Sequence, residues 1–337
     1  MKHLTTFAAA LSVCAATSLM QLHAVHDVRT QASRIGKVAR VPTDTVGTQE
    51  CSSKEMRVEW GNMTNADRVS FVNSIKCLME APPKIITNLT SRYDELVNVH
   101  NSMSTQIHQY GVFLAWHRYF VNGFKSLLRD ECDYQAPYPW WYEIRDNGNF
   151  SGSSIFTPEY FGSLQVSHQP EDHEPDSYCV TDGAFANRTV TVGVFEPECL
   201  SRGEDQRISN LTTLKVLNSC QSNITKFSDH EECVSNGIHV STHAAVGKIM
   251  GNVPASVNDP VFFMHHGFID WEWMRWQRVV ESRYSDISGC YYVDFDEDCV
   301  SVTLDTVLSS GGIFPNMTIR EVINPTTGPL CYEYDFY

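Results

Sequence analysis

Apolar side chains recur every three or four positions in several stretches of this sequence, and such spacing is typical of helices that bury one face. The first stretch can be capped by Thr64 or Asn65 and is ended by Pro82-Pro83. Four further helices are predicted over residues 93–101, 112–132, 237–250 and 260–281. The apolar face of the first helix consists of Val69, Val72, Ile75 and Leu78.

The pattern changes between residues 146 and 232, where Gly, Ser, Pro, Asn and cysteine replace the regular apolar positions. This stretch predicts a long loop region that cysteines can staple together. Residues after 281 are rich in Val, Thr, Tyr and Gly, which indicates short strands and turns. The elements together predict a mainly α domain with long, disulfide-stapled loops and a few short strands.

The N-terminal residues 1–24 have the pattern of a secretory signal peptide. A basic start at Lys2 and His3 precedes an uncharged, apolar run over residues 4–20 and a small-residue cleavage site at Leu22-His23-Ala24. A buried N-terminal helix is the alternative. Residues 25–50 are polar and aperiodic, which predicts a flexible arm or a removable pro-segment. The folded domain is then expected to span residues 51–337.

Cysteine and asparagine patterns also favour secretion. Removal of Cys14 with the signal peptide leaves ten of the eleven cysteines, an even number without a CxxC pair, which favours disulfides over zinc. Seven Asn-x-Ser/Thr sequons predict a glycosylated, extracellular protein. The ten cysteines are Cys51, Cys77, Cys132, Cys179, Cys199, Cys220, Cys233, Cys290, Cys299 and Cys331.

Composition limits the classes of partner. The chain has 337 residues, of which 42% are hydrophobic, and this is enough for a sizeable core. A formal net charge of −15 argues against nucleic acid or an anionic membrane surface as a partner. No apolar run of transmembrane length follows the N-terminal segment. The sequence indicates no obligate protein partner.

Histidines fall on or beside the predicted helices in two clusters. The first contains His100, His108 and His117; the second contains His239 and His243, four residues apart and hence on one helical face, and the His265-His266 pair. Each piece alone has an ordinary explanation, since an HxxxH pair is often incidental and a histidine beside a tryptophan can be a packed core residue. The combination favours a metal site, because unpartnered imidazoles on apolar helices are costly to bury.

The type of donor atom limits which metals these histidines could bind. Imidazole-only ligation favours copper or zinc over calcium or magnesium. A zinc protease needs HExxH, but no glutamate follows His239, and an iron facial triad needs a carboxylate that is not evident here. Two sets of three neutral imidazoles fit a coupled pair of copper ions.

Two segments carry a family resemblance: FLAWHRYF at residues 113–120 and DPVFFMHHGFIDWEWMRWQ at residues 259–277. With them, residues 51–337 resemble the type-3 copper proteins (tyrosinase, catechol oxidase and hemocyanin), most nearly short secreted tyrosinase-like proteins of fungal type. The resemblance implies an antiparallel helix bundle that holds a dicopper site. It assigns the first copper to His100, His108 and His117, and the second to His239, His243 and His266, with His265 behind the ligands.

The sequence departs from the family pattern in two places. Many members have a cysteine two residues before the second histidine, linked to it by a thioether, whereas this chain has Gln106. The family motif PYWDW appears here as Pro139-Trp140-Trp141-Tyr142-Glu143, which puts the local packing in doubt but not the ligands.

The resemblance implies oxidation of o-diphenols, and in some members of monophenols, to o-quinones with O2. The family associates monophenol turnover with an Asn after the first histidine of the second copper; here that position is Val240, and Ala244 follows His243. These two residues and Val253, at the family's gate position, are the predicted substrate pocket. We therefore expect diphenol oxidation.

Other roles remain open from the sequence. Glu231 or Glu232 could serve as a catalytic base, although two solvated loop acids explain them equally well. An oxygen carrier of hemocyanin type, or a secreted matrix protein with a vestigial copper site, would carry similar motifs. A catechol oxidation assay distinguishes these three functions.

Arginines are predicted to support the copper domain. Arg118 is expected to bridge to Asp270, and Arg57 to pack on Tyr332 or Tyr334 in the C-terminal Tyr-x-Tyr motif. The sequence stops three residues after that motif, so we expect activity without removal of a C-terminal lid.

Overall fold

The computed structural model describes residues 51–108, 111–168, 176–291 and 300–337. The predicted signal peptide and arm lie outside these residues. Within the described stretches, no helix combines the length and apolar character needed to cross a membrane.

Four long helices build the bundle: α1 (Asn65–Glu80), α2 (Arg92–Ile107), α3 (Phe113–Cys132) and α6 (Val261–Val279). Side chains cap the first two, because Thr64 accepts a hydrogen bond from the Asp67 N–H and Ser91 from the Asp94 N–H. Helix α3 packs against α1, α2 and α6, so it lies at the centre of the bundle. The predicted mainly helical fold is confirmed.

Two predicted helices differ in extent from those observed. Helix α2 continues to Ile107, beyond the predicted end at residue 101. Its last turns carry polar surface residues, so the regular apolar spacing that predicts a helix is not evident there. The stretch predicted as one helix over 237–250 is broken: α4 (Phe227–Val234) runs into a π-helical turn at Ser235–His239 and then α5 (Val240–Val246). Gly237 breaks the regular helix, with φ −97° and ψ −107°.

The remaining elements are short, as the loop prediction requires. Four further helices have four to six residues: Gln206–Ser209, Leu214–Ser219, Lys248–Gly251 and Ile319–Val322. Four two-stranded sheets pair Tyr178–Cys179 with Ser201–Arg202, Thr189–Val190 with Glu198–Cys199, Cys290–Tyr291 with Val300–Ser301, and Val307–Leu308 with Met317–Thr318.

Disulfides hold these loops to the bundle. Nine of the ten predicted cysteines are disulfide-bonded, and Cys299 lies outside the described residues. The pair Cys77–Cys132 joins the C-terminal ends of α1 and α3. The other described pairs are Cys51–Cys331, Cys179–Cys199 and Cys220–Cys233.

A parallel three-stranded sheet joins the two ends of the domain. Strand β1 (Glu55–Glu59) lies between β2 (Pro139–Trp140) and β3 (Tyr332–Tyr334), with Arg57 opposite Tyr334. The sheet therefore brings the predicted N-terminal arginine beside the C-terminal tyrosines.

A buried ionic cluster fixes this sheet to the bundle. The Arg57 guanidinium lies 3.5 Å from the ring centroid of Tyr332 and donates to Asp270 at 3.0 Å. Arg118 forms an ion pair with the other oxygen of Asp270, and the Tyr332 and Tyr334 hydroxyls donate to this carboxylate at 2.5 Å. Burial opposes ionisation, but the two arginines hold the pKa of Asp270 below its usual value. Both predicted arginine contacts are confirmed.

Candidate metal centre

The first histidine group lies where α2 ends and α3 begins. His100 is in α2, His108 follows its last residue, and His117 is one turn into α3. The ring centroid of His108 is 5.0 Å from that of His100 and 5.1 Å from that of His117. One ring nitrogen from each converges within 4.8 Å of the others, a spacing that suits one metal ion.

Backbone carbonyls orient two of these rings. Nδ1 of His108 lies 2.8 Å from the Ser104 carbonyl oxygen, and Nδ1 of His117 lies 2.8 Å from that of Phe113. Because a carbonyl only accepts, Nδ1 carries the proton in each ring and the lone pair is on Nε2. Both rings are thus in the tautomer that offers Nε2 to a metal.

The second group contains four histidines. One ring nitrogen from each of His239, His243, His265 and His266 lies within 4.8 Å of the others. The π-helical turn and α5 supply the first two, and α6 supplies the adjacent pair. Nδ1 of His243 faces the Met250 carbonyl oxygen at 2.7 Å, and Nδ1 of His239 faces that of Ser235 at 3.3 Å.

The two groups meet face to face across the bundle. The ring of His117 stacks on that of His266 with centroids 4.3 Å apart and planes 11° apart. Phe262 packs between the groups, with its ring centroid 5.1 Å from that of His100 and 4.1 Å from that of His266. Seven imidazoles therefore line one continuous site.

Burial keeps these rings uncharged. It lowers the pKa of His108 to about 4 and that of His265 to about 3, and the pKa values of the other five fall well below the usual range. Neutral imidazoles are the form that binds a metal.

Buried ring nitrogens without a hydrogen-bond partner mark the same site. Such atoms cost about 1–3 kcal/mol each unless something binds them, so their convergence fits a metal-binding role. They are Nε2 of His117, His239 and His265, and both nitrogens of His100 and His266.

Comparison with known proteins identifies the metal and the class of reaction. The tyrosinase profile, described as "Common central domain of tyrosinase", matches residues 90–279, a range that includes all seven histidines. The chain belongs to the tyrosinase family. It is a copper oxidoreductase, and its cofactor is a pair of copper ions.

Individual relatives agree with this assignment. Tyrosinase P of Aspergillus terreus is 28% identical over 84% of this chain and 93% of its own length. N-acetyl-6-hydroxytryptophan oxidase of Emericella nidulans is also 28% identical, over 85% of this chain and 94% of its own length.

Solved structures share the fold. A polyphenol oxidase variant from Thermothelomyces thermophila has 25% identity and a TM-score of 0.68, and the match covers 83% of this chain and 88% of that one. Latent apple tyrosinase, at 16% identity and a TM-score of 0.55, covers 89% of this chain and 66% of its own. The second likeness concerns the fold alone.

The two predicted base candidates occupy different environments within this tyrosinase fold. Glu231 is buried, and its carboxylate accepts hydrogen bonds from the N–H groups of Gly111 and, at 3.1 Å, Leu114. Burial raises the pKa of Glu231 to about 8. The N–H donors oppose this shift because they favour the ionised form, but the effect of burial is larger. Glu231 therefore caps the N-terminus of α3, which Val112 leaves without a side-chain cap. Glu232 is exposed.

The predicted pocket residues are partly exposed in the structure. Val240 is 50% exposed and Val253 47% exposed, and Ala244 is half-buried. Val240 and Ala244 are one turn apart on α5, on the helix that carries His243.

Glu143, which the structure places against the second histidine group, was not singled out from the sequence. It is fully buried, accepts a hydrogen bond from the Thr242 hydroxyl at 2.5 Å, and lies 2.6 Å from Nδ1 of His265. Burial raises its pKa well above the usual range. The signal was present in the altered PYWDW motif, where a carboxylate replaces an apolar residue among aromatic neighbours.

Proposed function

We propose that this protein oxidises o-diphenols to o-quinones with O2 outside the cell. In this proposal, His100, His108 and His117 hold one copper ion, and His239, His243 and His266 are ligands of the other. The observation that carries the proposal is the pair of histidine groups that meet face to face, with the apolar, partly exposed Val240 and Ala244 on the helix that carries His243.

The bound copper pair would supply two-electron oxidation: two diphenols each lose two electrons and two protons, and together these reduce one O2 to two molecules of water. The protein's own residues keep the ligands neutral by burial and fix the tautomers through backbone carbonyls. Val240 and Val253 offer apolar contacts for the face of an aromatic ring. Neither side chain can hydrogen-bond a water molecule that would take a proton from a monophenol.

The known relatives support a hydroxylated aromatic substrate. Two of these relatives are a tyrosinase and an N-acetyl-6-hydroxytryptophan oxidase, and the name of the second contains a hydroxyindole.

Extracellular location is supported by the disulfides. Nine described cysteines are bonded, and such bonds persist in oxidising compartments. Sequencing the N-terminus of the protein recovered from culture medium tests this directly. A start after residue 24 or near residue 50 is expected, and retention of the protein inside the cell contradicts the proposal.

Oxygen consumption by the copper-loaded protein tests the reaction. We expect catechol and dihydroxyphenylalanine to be oxidised at least about tenfold faster than tyrosine, a difference of about 1.4 kcal/mol in activation free energy. Val240→Asn should raise the tyrosine rate, because its amide can orient a water molecule, whereas Val240→Ala should not. Equal rates on tyrosine and dihydroxyphenylalanine contradict the proposal, and reversible O2 binding without turnover indicates an oxygen carrier instead.

A further inference from the structure

The asparagines of all seven Asn-x-Ser/Thr sequons are exposed in the structure. An N-linked glycan needs such exposure because it is bulky and hydrophilic. Exposure alone does not distinguish one sequon from another, so the surroundings of each asparagine have to decide. The seven are Asn62, Asn88, Asn149, Asn187, Asn210, Asn223 and Asn316.

Asn187 lies in a firmly held turn. Its φ is +58°, a left-handed conformation that asparagine adopts more readily than most residues. Its N–H donates to the Val180 carbonyl at 2.8 Å, and the Leu200 N–H donates to the Arg188 carbonyl at 2.8 Å. The disulfide Cys179–Cys199 ties the neighbouring strands together. A group attached to the Asn187 side chain is therefore presented from a fixed position.

An open cavity of about 260 Å³ adjoins this turn. Met79 in α1 lines one side of it, and Phe185 and Ala186 line the other, immediately before Asn187 in the chain. These side chains give the cavity an apolar wall. Its volume is just below the range of about 300–1,000 Å³ typical of pockets that hold a whole small molecule, and it suits a single sugar ring.

Polar groups at the edge of the cavity have unused hydrogen-bonding capacity. Arg188 donates through Nη2 to Asp94 at 2.7 Å, but its Nε is buried and has no hydrogen-bond partner. Lys76 and Glu80 also line the cavity, four residues apart on α1, and carry opposite charges. Because Asp94 pairs with Arg188 as well, the edge is close to neutral and favours a polar, uncharged occupant.

A sugar ring has both properties, since its faces carry C–H groups and its edge carries hydroxyl and amide groups. We propose that Asn187 carries an N-linked glycan and that the first N-acetylglucosamine unit packs in this cavity. Its ring lies against Met79 and Phe185, and its polar groups face Lys76 and Arg188.

The modification itself is a group transfer onto the Asn187 side chain. A bond forms between C1 of the sugar and Nδ2, the bond between C1 and the diphosphate of a lipid-linked oligosaccharide donor breaks, and one Nδ2 proton is released. The inference rests on the extracellular location proposed above and not on which phenol is oxidised.

Peptide mapping of the protein recovered from culture medium tests the modification. Peptide N-glycosidase in heavy-oxygen water converts each modified asparagine to a labelled aspartate, and the label is expected at Asn187. Release from the native protein should be at least about tenfold slower than from the denatured protein, because the enzyme reaches the bond only when the sugar leaves the cavity. Asn223, an exposed asparagine that is also left-handed, is the control, and a glycan there should leave both forms at similar rates.

Variants of the sequon threonine separate the glycan from the side chains beneath it. Thr189→Val removes the sequon and leaves Asn187 in place, whereas Thr189→Ser keeps the sequon. Thr189→Val should have a Tm about 2 °C lower than Thr189→Ser, because the cavity loses its occupant. Thr225→Val and Thr225→Ser make the same change at Asn223 and should have equal Tm values. In protein made in bacteria, which do not add these glycans, the two Thr189 variants should not differ either.

Three outcomes overturn the inference: no label at Asn187, equal rates of release from native and denatured protein, and equal Tm values for the two secreted Thr189 variants. An unlabelled Asn187 would leave the cavity to another occupant. Secreted protein that oxidises catechol without a label at Asn187 refutes this inference and leaves the proposed function standing. A protected glycan at Asn187 on a protein that oxidises no phenol has the opposite meaning.

Discussion

The two histidine groups are held in place by different means, although each has one buried glutamate beside it. At the first group, Glu231 binds backbone N–H groups at the start of α3 and touches no imidazole nitrogen. At the second group, Glu143 binds the ring of His265 directly. The first carboxylate therefore positions a helix, and the second positions an imidazole ring of the second group.

The hydrogen bonds that orient the imidazole rings also differ between the two groups. His108 and His117 both use the carbonyl four residues earlier, an interaction that helical geometry supplies locally. His243 uses Met250 beyond the end of its helix, and His265 uses a residue 122 positions away. His108 and His117 thus depend on local helical contacts, as His239 does through Ser235, whereas His243 and His265 depend on how separate segments pack together.

Ligand removal should give the largest effects. His117→Ala and His239→Ala should each lower copper content by about half and phenol oxidation by on the order of 10³-fold, because the reaction needs both ions. Metal analysis after gel filtration gives the copper content and O2 uptake gives the rate. Loss of both coppers in either variant would mean that the groups do not bind independently, and the contrast drawn above would fail.

The contrast between local and tertiary contacts explains which features could be predicted from the sequence. The spacing of apolar residues located α1, α3 and α6, and the histidine spacing identified all seven clustered imidazoles, because helical periodicity and ligand spacing are local properties. Spacing alone could not predict that both His265 and His266 face the second group, since adjacent residues on a regular helix point about 100° apart. The π-helical turn, which depends on Gly237, and the contact from Glu143 are tertiary features.

The next effect concerns a buried imidazole outside both groups. Burial lowers the pKa of His230 to about 4 from 6.5, so the unfolded chain takes up a proton between these pH values and the folded protein does not. The stability that neutral His230 contributes is complete above pH 6.5 and is lost as pH falls to 4. The loss is about 3 kcal/mol, at about 1.4 kcal/mol per pH unit.

His230→Phe should remove this part of the acid sensitivity, because a phenyl ring can keep the stacking on Trp276. Urea unfolding of the protein at pH 7, 6, 5 and 4 measures the slope. His168→Phe, at an exposed histidine, is the control and should leave the slope as it is. An unchanged slope in His230→Phe would mean that other titrating groups account for the acid sensitivity of the fold.

The smallest effect should come from Glu231, and it tests whether the first group depends on a helix cap. Glu231→Gln keeps the size of the side chain but leaves one acceptor oxygen for the two N–H groups of Gly111 and Leu114. One buried N–H group then lacks a partner, which costs about 1–2 kcal/mol of unfolding free energy. Because this segment leads into α3 and His117, the first copper should be held less tightly while the second is unaffected.

Glu232→Gln, at the exposed neighbour, should change neither quantity. Urea unfolding and chelator competition on both variants measure the two effects. If only the second copper is lost, Glu231 supports the second histidine group, which contradicts this prediction. A stability loss with both coppers unchanged would mean that α3 holds His117 in place without its cap.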